Sequence, residues 1–281
     1  MRLSEAFNMY RSNVIVFSNQ SRKTEENHLI VQKNLLSHFG DIEVERFTFS
    51  HVRDWKLTLD QSRSPETVRN YIIKLRVVLA YLQKCGIDCL DPATIPVPKR
   101  TDKVPTFITK EQVACLINAC YTTRDKAIIS LLFCSGVRVS ELCKLNRGDI
   151  RNNSFTIVGK GGKARLCFVD ARTSVYIKAY LRTRRDNNSA LFLSQKFPRN
   201  NERMSVGSVQ ELFKAVRKRC GLEGVTPHTM RHSFATNLLR SNMNIRYVQE
   251  LLGHSSLETT QMYTHVINED LHREYNSHHV I

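Results

Sequence analysis

Apolar positions return at three- and four-residue steps along most of the chain, the spacing of one buried helix face. Val68, Tyr71, Ile72, Leu75, Val78, Leu79 and Leu82 give the clearest run. Ahead of them Ser64-Pro65-Glu66 supplies a cap residue, a first-turn proline and an acid where a helix N-terminus favours them. Further helices are predicted from Glu25 to Phe39 and around residues 50–59, which makes the first part of the chain all-helical. Farther on, Thr109-Lys-Glu-Gln112 has the form of a capping box and opens a helix with Val113, Leu116, Ile117 and Cys120 on one side. Helices are expected next at about 123–134 and 138–145. The period then shortens to two. The segments 154–158 and 165–169 flank Gly159-Lys-Gly-Gly-Lys163 and read as a β-hairpin. Helical spacing resumes at about 172–184, 206–219, 229–240, 245–252 and 256–263. The expected fold class is mainly α: a small all-helical N-terminal domain and a larger, mostly helical domain with a small antiparallel β-sheet.

Proline marks the join. Four of the seven prolines fall between Pro92 and Pro105, which forbids regular helix and favours an extended tether. The expected boundaries are a helical domain over 1–92, a basic Pro-rich linker over 93–107, and a second domain over 108–281. Charge divides the same way. Of the net +16, residues 1–92 carry only +2 (13 Lys and Arg against 11 Asp and Glu), leaving +14 beyond them. Such an excess asks for a polyanionic partner. With 41% hydrophobic and 24% charged residues the 281-residue chain has the composition of a globular protein, not a disordered one. No stretch approaches the roughly 20 apolar residues of a membrane span, and Met1 to Asn8 lacks the layout of a secretory signal.

Eight cysteines could suggest a disulfide or zinc framework, but no CxxC pair is present. Cys115, Cys120, Cys134 and Cys143 lie in helical apolar pattern, so buried reduced thiols of a cytosolic protein are expected.

Four islands in the basic part carry candidate chemistry. In Cys134-Ser-Gly-Val-Arg138-Val-Ser-Glu141, Gly136 can break one helix while Arg138 and Glu141 share a face of the next. A carboxylate-held guanidinium is fixed for bidentate phosphate binding; taken alone, the pair is an ordinary intrahelical ion pair. At the hairpin tip, Lys160 and Lys163 sit among glycines, but Ala164 stands where a nucleotide-binding P-loop needs Ser or Thr. A glycine-flanked lysine can instead reach into a groove beside a phosphate, or be a plain solvated turn. His228-Thr-Met-Arg231-His232 has the spacing of a helical zinc pair, yet Thr229 replaces the metalloprotease base. His228 and Arg231 remain as a second phosphate clamp, with His232 read as a packing residue or as a support behind the phosphate contacts. In the fourth island His254 precedes Tyr263 by nine residues. A tyrosine acts as nucleophile only with cations around it and a proton acceptor at hand. Two arginines, a lysine, two histidines and a tyrosine suit in-line displacement at a phosphodiester. Paired carboxylates for a two-metal nuclease are missing from the set.

The order Arg138, Lys160, His228-x-x-Arg231, His254, Tyr263 resembles that of the tyrosine recombinases, the family of phage integrases and Xer proteins. The strings Ser-Gly-Val-Arg-Val-Ser-Glu-Leu, Gly-Lys-Gly-Gly-Lys, His-Thr-Met-Arg-His-Ser-Phe-Ala-Thr and Leu-Gly-His-Ser-Ser-Leu-Glu-Thr-Thr are similar to it as well. The resemblance covers about 108–270, with the helical domain fitting the family's DNA-clamping core-binding domain. It implies a site-specific recombinase in which Tyr263 forms a 3′-phosphotyrosine link and Arg138 and Arg231 hold the non-bridging oxygens. Lys160 would protonate the leaving 5′-oxygen, His228 accept the tyrosine proton and His254 hydrogen-bond the phosphate. Glu141 would orient the site from outside the phosphate contacts. Arg69, Lys74, Arg76, Lys99, Arg100 and Lys163 are expected to bind the flanking DNA backbone. No metal or cofactor is expected. The implied partners are double-stranded DNA with an inverted-repeat core site and a homotetramer on synapsed DNA, from a monomer or weak dimer when free. Residues 266–281 would form a helix exchanged between subunits, and the setting would be the cytoplasm, on the nucleoid. A type IB topoisomerase and a non-catalytic DNA-binding regulator are the competing readings.

Overall fold

The computed structural model describes residues 1–100, 107–159, 162–195 and 201–253. The chain forms two compact units, Met1–Lys103 and Val104–Ile281.

The first unit is all-helical: α1 (Leu3–Tyr10) runs into a π-helical turn at Arg11–Val16, followed by α2 (Arg22–Phe39), α3 (Phe49–Ser62) and α4 (Pro65–Lys84). The α4 helix starts where its cap chemistry places it, with the Thr67 N–H donating to the Ser64 hydroxyl at 3.3 Å. It buries Val68, Ile72, Leu75, Val78, Leu79 and Leu82 and packs against α1, α2 and α3. Each fully buried aliphatic side chain of this kind contributes about 2 kcal/mol. Trp55 is buried on α3 and its indole N–H donates to Asn34 Oδ1 at 2.8 Å. Two features depart from expectation. The helix α1 was not anticipated, although Leu3, Ala6, Phe7 and Tyr10 form its buried face. The tether expected from residue 93 begins inside this unit: Pro92–Thr94 makes a single 3₁₀ turn, and Ile95 is buried in the helical core. One apolar side chain anchors what the prolines alone leave extended.

The second unit is built around α6 (Thr123–Ser135), buried on nearly all sides and packed against α5 (Lys110–Asn118), α8 (Ala171–Thr183) and α10 (Pro227–Arg240). The short α7 (Val139–Leu142) leads to an antiparallel hairpin of β1 (Ser154–Val158) and β2 (Ala164–Phe168), in register from Ser154 opposite Phe168 to Val158 opposite Ala164. Among the described residues, helices α9 (Val206–Cys220) and α11 (Ile245–Leu252) also belong to it. The segment expected as a helix over 138–145 is only four residues long. Arg138 is extended, and Arg203 beyond the helix takes the carbonyls of Cys143 and Leu145 at 3.1 and 2.9 Å. The helix expected at 256–263 lies outside the described residues.

All eight cysteines are free thiols. Cys120, Cys143 and Cys167 are buried, but Cys115 is exposed, contrary to expectation. On α5 the inward face belongs to Val113, Leu116 and Ile117, and Cys115 falls outside it. Burial pushes the Cys134 and Cys143 thiols up to about 11, so both stay protonated. No helix among the described residues is long and apolar enough to cross a membrane.

Candidate active site

The site is organised at the C-terminal end of α6. Gly136 terminates that helix at φ 61°, a left-handed conformation that glycine adopts without penalty. It is also where the Phe234 ring of α10 presses closest: a Cβ here would sit 2.3 Å from that ring. The turn sends Val137 into the core and leaves Arg138 part-exposed.

Arg138 caps α7 and does not share its helical face with Glu141. Its N–H donates to Glu141 Oε2 at 2.7 Å, and its Nη1 to Oε1 at 3.1 Å. The same carboxylate takes Nη1 and Nη2 of Arg165 at 3.1 and 2.5 Å. Burial alone would raise the pKa of Glu141, but the hydrogen bonds from Arg165 and Arg138 outweigh it and hold it below the ordinary value. Glu141 is therefore an anion at neutral pH, held between two guanidiniums.

Arg231, on α10, is buried, and its Nη1 and Nη2 donate to the carbonyls of Gly136 and Leu252, each at 2.6 Å. Arg165 Nε donates to the carbonyl of Leu251 at 3.1 Å. Two arginines thus bind the last carbonyls of α11, where the helix dipole favours cations.

Thr226 caps α10 and Pro227 fills its first turn, which puts His228 one turn before Arg231. Desolvation of the ring, then Arg231 and Arg138, lower the His228 pKa, so the imidazole is neutral at neutral pH and can accept a proton. His232 stands edge-on to it, ring centroids 4.2 Å apart, and burial pushes its pKa down to about 4.

Arg138, Glu141, His228 and Arg231 therefore come together around one turn. Lys160, His254 and Tyr263 lie outside the described residues. Lys163 is exposed, and its carbonyl accepts the Gly159 N–H at 2.9 Å to close the hairpin end. In the first unit Lys99 and Arg100 are exposed, while Arg69, Lys74 and Arg76 are half-buried. Burial lowers the Lys74 pKa, and Arg69 Nε has no hydrogen-bond partner among the described residues. Arg165 was missed. Its signal was strand alternation, which puts it on the inward face with Phe155, Ile157 and Cys167. Among the described residues no group of three His, Cys, Asp or Glu side chains converges.

Residues 106–270 match the phage integrase family, and the chain belongs to that family. It is a tyrosine recombinase, an enzyme that breaks and rejoins DNA strands site-specifically. Tyrosine recombinase XerA of Pyrococcus horikoshii is 37% identical over 212 residues, covering 74% of this chain and 73% of XerA. Tyrosine recombinase XerC of Lactobacillus delbrueckii subsp. bulgaricus is 30% identical, covering 99% of each chain. Among solved structures, a lambda integrase dimer bound to a COC′ core site shares the fold at TM-score 0.79 and 18% identity, covering 94% of this chain and 95% of that one.

Proposed function

We propose that Tyr263 is the nucleophile. Its hydroxyl oxygen attacks the scissile phosphorus, a Tyr–O–P bond forms, and the bond to the 5′-oxygen breaks. His228 takes the tyrosine proton and Lys160 gives one to the leaving 5′-oxygen. Arg138 and Arg231 hold the non-bridging oxygens, where negative charge grows in the transition state, and His254 hydrogen-bonds the same phosphate. The covalent link keeps the phosphodiester's energy, so neither ATP nor a metal enters the balance. The 5′-hydroxyl of a second strand then attacks and completes the exchange.

The observation that carries this reading is the convergence of Arg138, Arg231 and a neutral His228 on the turn after Gly136, with Glu141 gripping Arg138. These are cationic and proton-accepting groups on one backbone frame, suited to a phosphate dianion-like transition state.

The substrate in this reading is duplex DNA with an inverted-repeat core site. The protein is a monomer or weak dimer when free and a homotetramer on two synapsed duplexes, with residues 266–281 docking on a neighbouring subunit. Arg69, Lys74, Arg76, Lys99, Arg100 and Lys163 contact the flanking backbone. The reaction takes place in the cytoplasm, on the nucleoid.

The test is covalent capture. Nicked duplexes carrying a randomised inverted repeat are incubated with the protein, and adducts that survive denaturation are sequenced. Wild type should enrich one site and Tyr263→Phe none. A supercoiled plasmid with two copies of that site should give deletion or inversion products. Relaxation without exchange favours a type IB topoisomerase, and no adduct at all favours a DNA-binding regulator.

A further inference from the structure

We infer that Arg165 is a positioning residue of the recombinase site, holding Arg138 and the chain leading to His254 in one frame without itself touching the phosphate. This rests on the roles proposed above for Arg138 and His254.

Arg165 occupies an inward position of β2, opposite Ile157 and on the same face as Cys167. An apolar side chain would ordinarily fill such a place. Instead the side chain is 4% exposed and carries a full charge into the interior. Taking a charge out of water is expensive, and even a paired one stabilises a fold weakly at best. Stability is thus a poor reason for an arginine here, whereas its contacts supply another.

All three guanidinium nitrogens are engaged. Nη1 and Nη2 fork onto the two oxygens of Glu141, and Nε reaches the carbonyl of Leu251. On one side, Glu141 passes the constraint to Arg138 through both its backbone N–H and its side chain. On the other side, Gly253 lies against the arginine stem: a Cβ there would sit 2.9 Å from Arg165 Cδ, at a φ of 63°. The residue after Gly253 is His254. In sequence, the strand bearing Arg165 begins four residues after Lys160. One planar group therefore joins three stretches of chain, each bearing a proposed phosphate ligand.

Lysine cannot replace it. A single ammonium donates from one nitrogen and has no planar fork to match both carboxylate oxygens while also reaching Leu251. A catalytic group displaced by about 1 Å can lose on the order of 100-fold in rate.

The test uses the full chain and the nicked duplex enriched by covalent capture, with three readouts: single-turnover adduct formation, duplex affinity and thermal unfolding. Arg165→Lys should bind the duplex within a few-fold of wild type and form adduct about 100-fold more slowly. In an Arg138→Lys background the same change should cost less, because part of the effect of Arg165 runs through Arg138. A purely structural role predicts the same factor in both backgrounds and overturns the inference.

Folding failure is handled by a paired variant, Arg165→Met with Glu141→Leu, which removes both buried charges together. It should fold and bind yet form adduct as slowly as Arg165→Lys; wild-type rates from either variant overturn the inference. If wild type itself forms no adduct, the functional reading falls and takes this inference with it. A normal wild-type adduct with an unimpaired Arg165→Lys overturns the inference alone.

Discussion

Arg231 donates a 2.6 Å hydrogen bond to the carbonyl of Gly136, a residue 95 positions away in sequence. The bond ties α10 to the chain two residues before Arg138. The Arg231 guanidinium is therefore held against the stretch of backbone that carries Arg138. Arg231→Lys should break this arrangement, since one ammonium cannot serve Gly136, Leu252 and a phosphate together. Adduct formation is expected to fall by roughly 10²–10³, and a buried carbonyl left unpaired should remove about 1–3 kcal/mol of stability in urea unfolding. Wild-type cleavage by Arg231→Lys would contradict this.

Gly136 combines a left-handed φ with the 2.3 Å approach to Phe234. Gly136→Ala should therefore destabilise the second unit twice over, by roughly 1–2 kcal/mol for the backbone conformation and further for the clash. Adding Phe234→Ala relieves the clash but not the conformation. Thermal unfolding of the single and double variants should show partial recovery; full recovery would mean that the conformation is not strained.

Two histidines make folding pH-dependent. Burial brings His28, aided by Lys74, and His232, aided by His228 and Arg231, from the ordinary 6.5 down to about 4. As pH falls the unfolded chain takes up these protons first. The stability they contribute is complete above pH 6.5 and is lost progressively toward pH 4. Urea midpoints should fall across that window, less so in His28→Gln or His232→Gln. A flat profile would contradict the burial argument.

Much of the fold could be read from local pattern, because caps and periods are local. Thr109 and Gln112 exchange the two bonds of the capping box, at 2.9 and 3.3 Å. The hairpin pairs its strands as the period of two implied. What escaped depends on distance in sequence. Arg165 finds Glu141 24 residues upstream and Leu251 86 residues downstream. No local period encodes either partner. Arg138 and Glu141 were correctly paired by their three-residue spacing, yet the pairing is a helix cap, since Gly136 leaves Arg138 extended. The α1 helix was too short and too polar at Ser4, Glu5 and Asn8 to stand out.

The charge beyond residue 92 sets a salt test. Duplex affinity should fall steeply with salt, by about 0.9 in the logarithm for each phosphate neutralised. Lys99→Ala with Arg100→Ala should weaken binding and flatten that slope by about two units, leaving adduct formation at saturating protein unchanged. Arg138→Ala should do the reverse, binding within a few-fold while cleavage falls by roughly 10²–10³. Equal loss of binding and cleavage in both variants would remove the distinction between footprint and active site.

Transesterification at Tyr263 is tested most directly by mapping the covalent adduct. Wild type trapped on its enriched nicked duplex should yield, after proteolysis and nuclease digestion, a peptide carrying nucleotide on Tyr263 through a 3′-phosphate. Tyr263→Phe should yield none. An adduct on another residue, a 5′-phosphate linkage, or cleavage by Tyr263→Phe would contradict the mechanism.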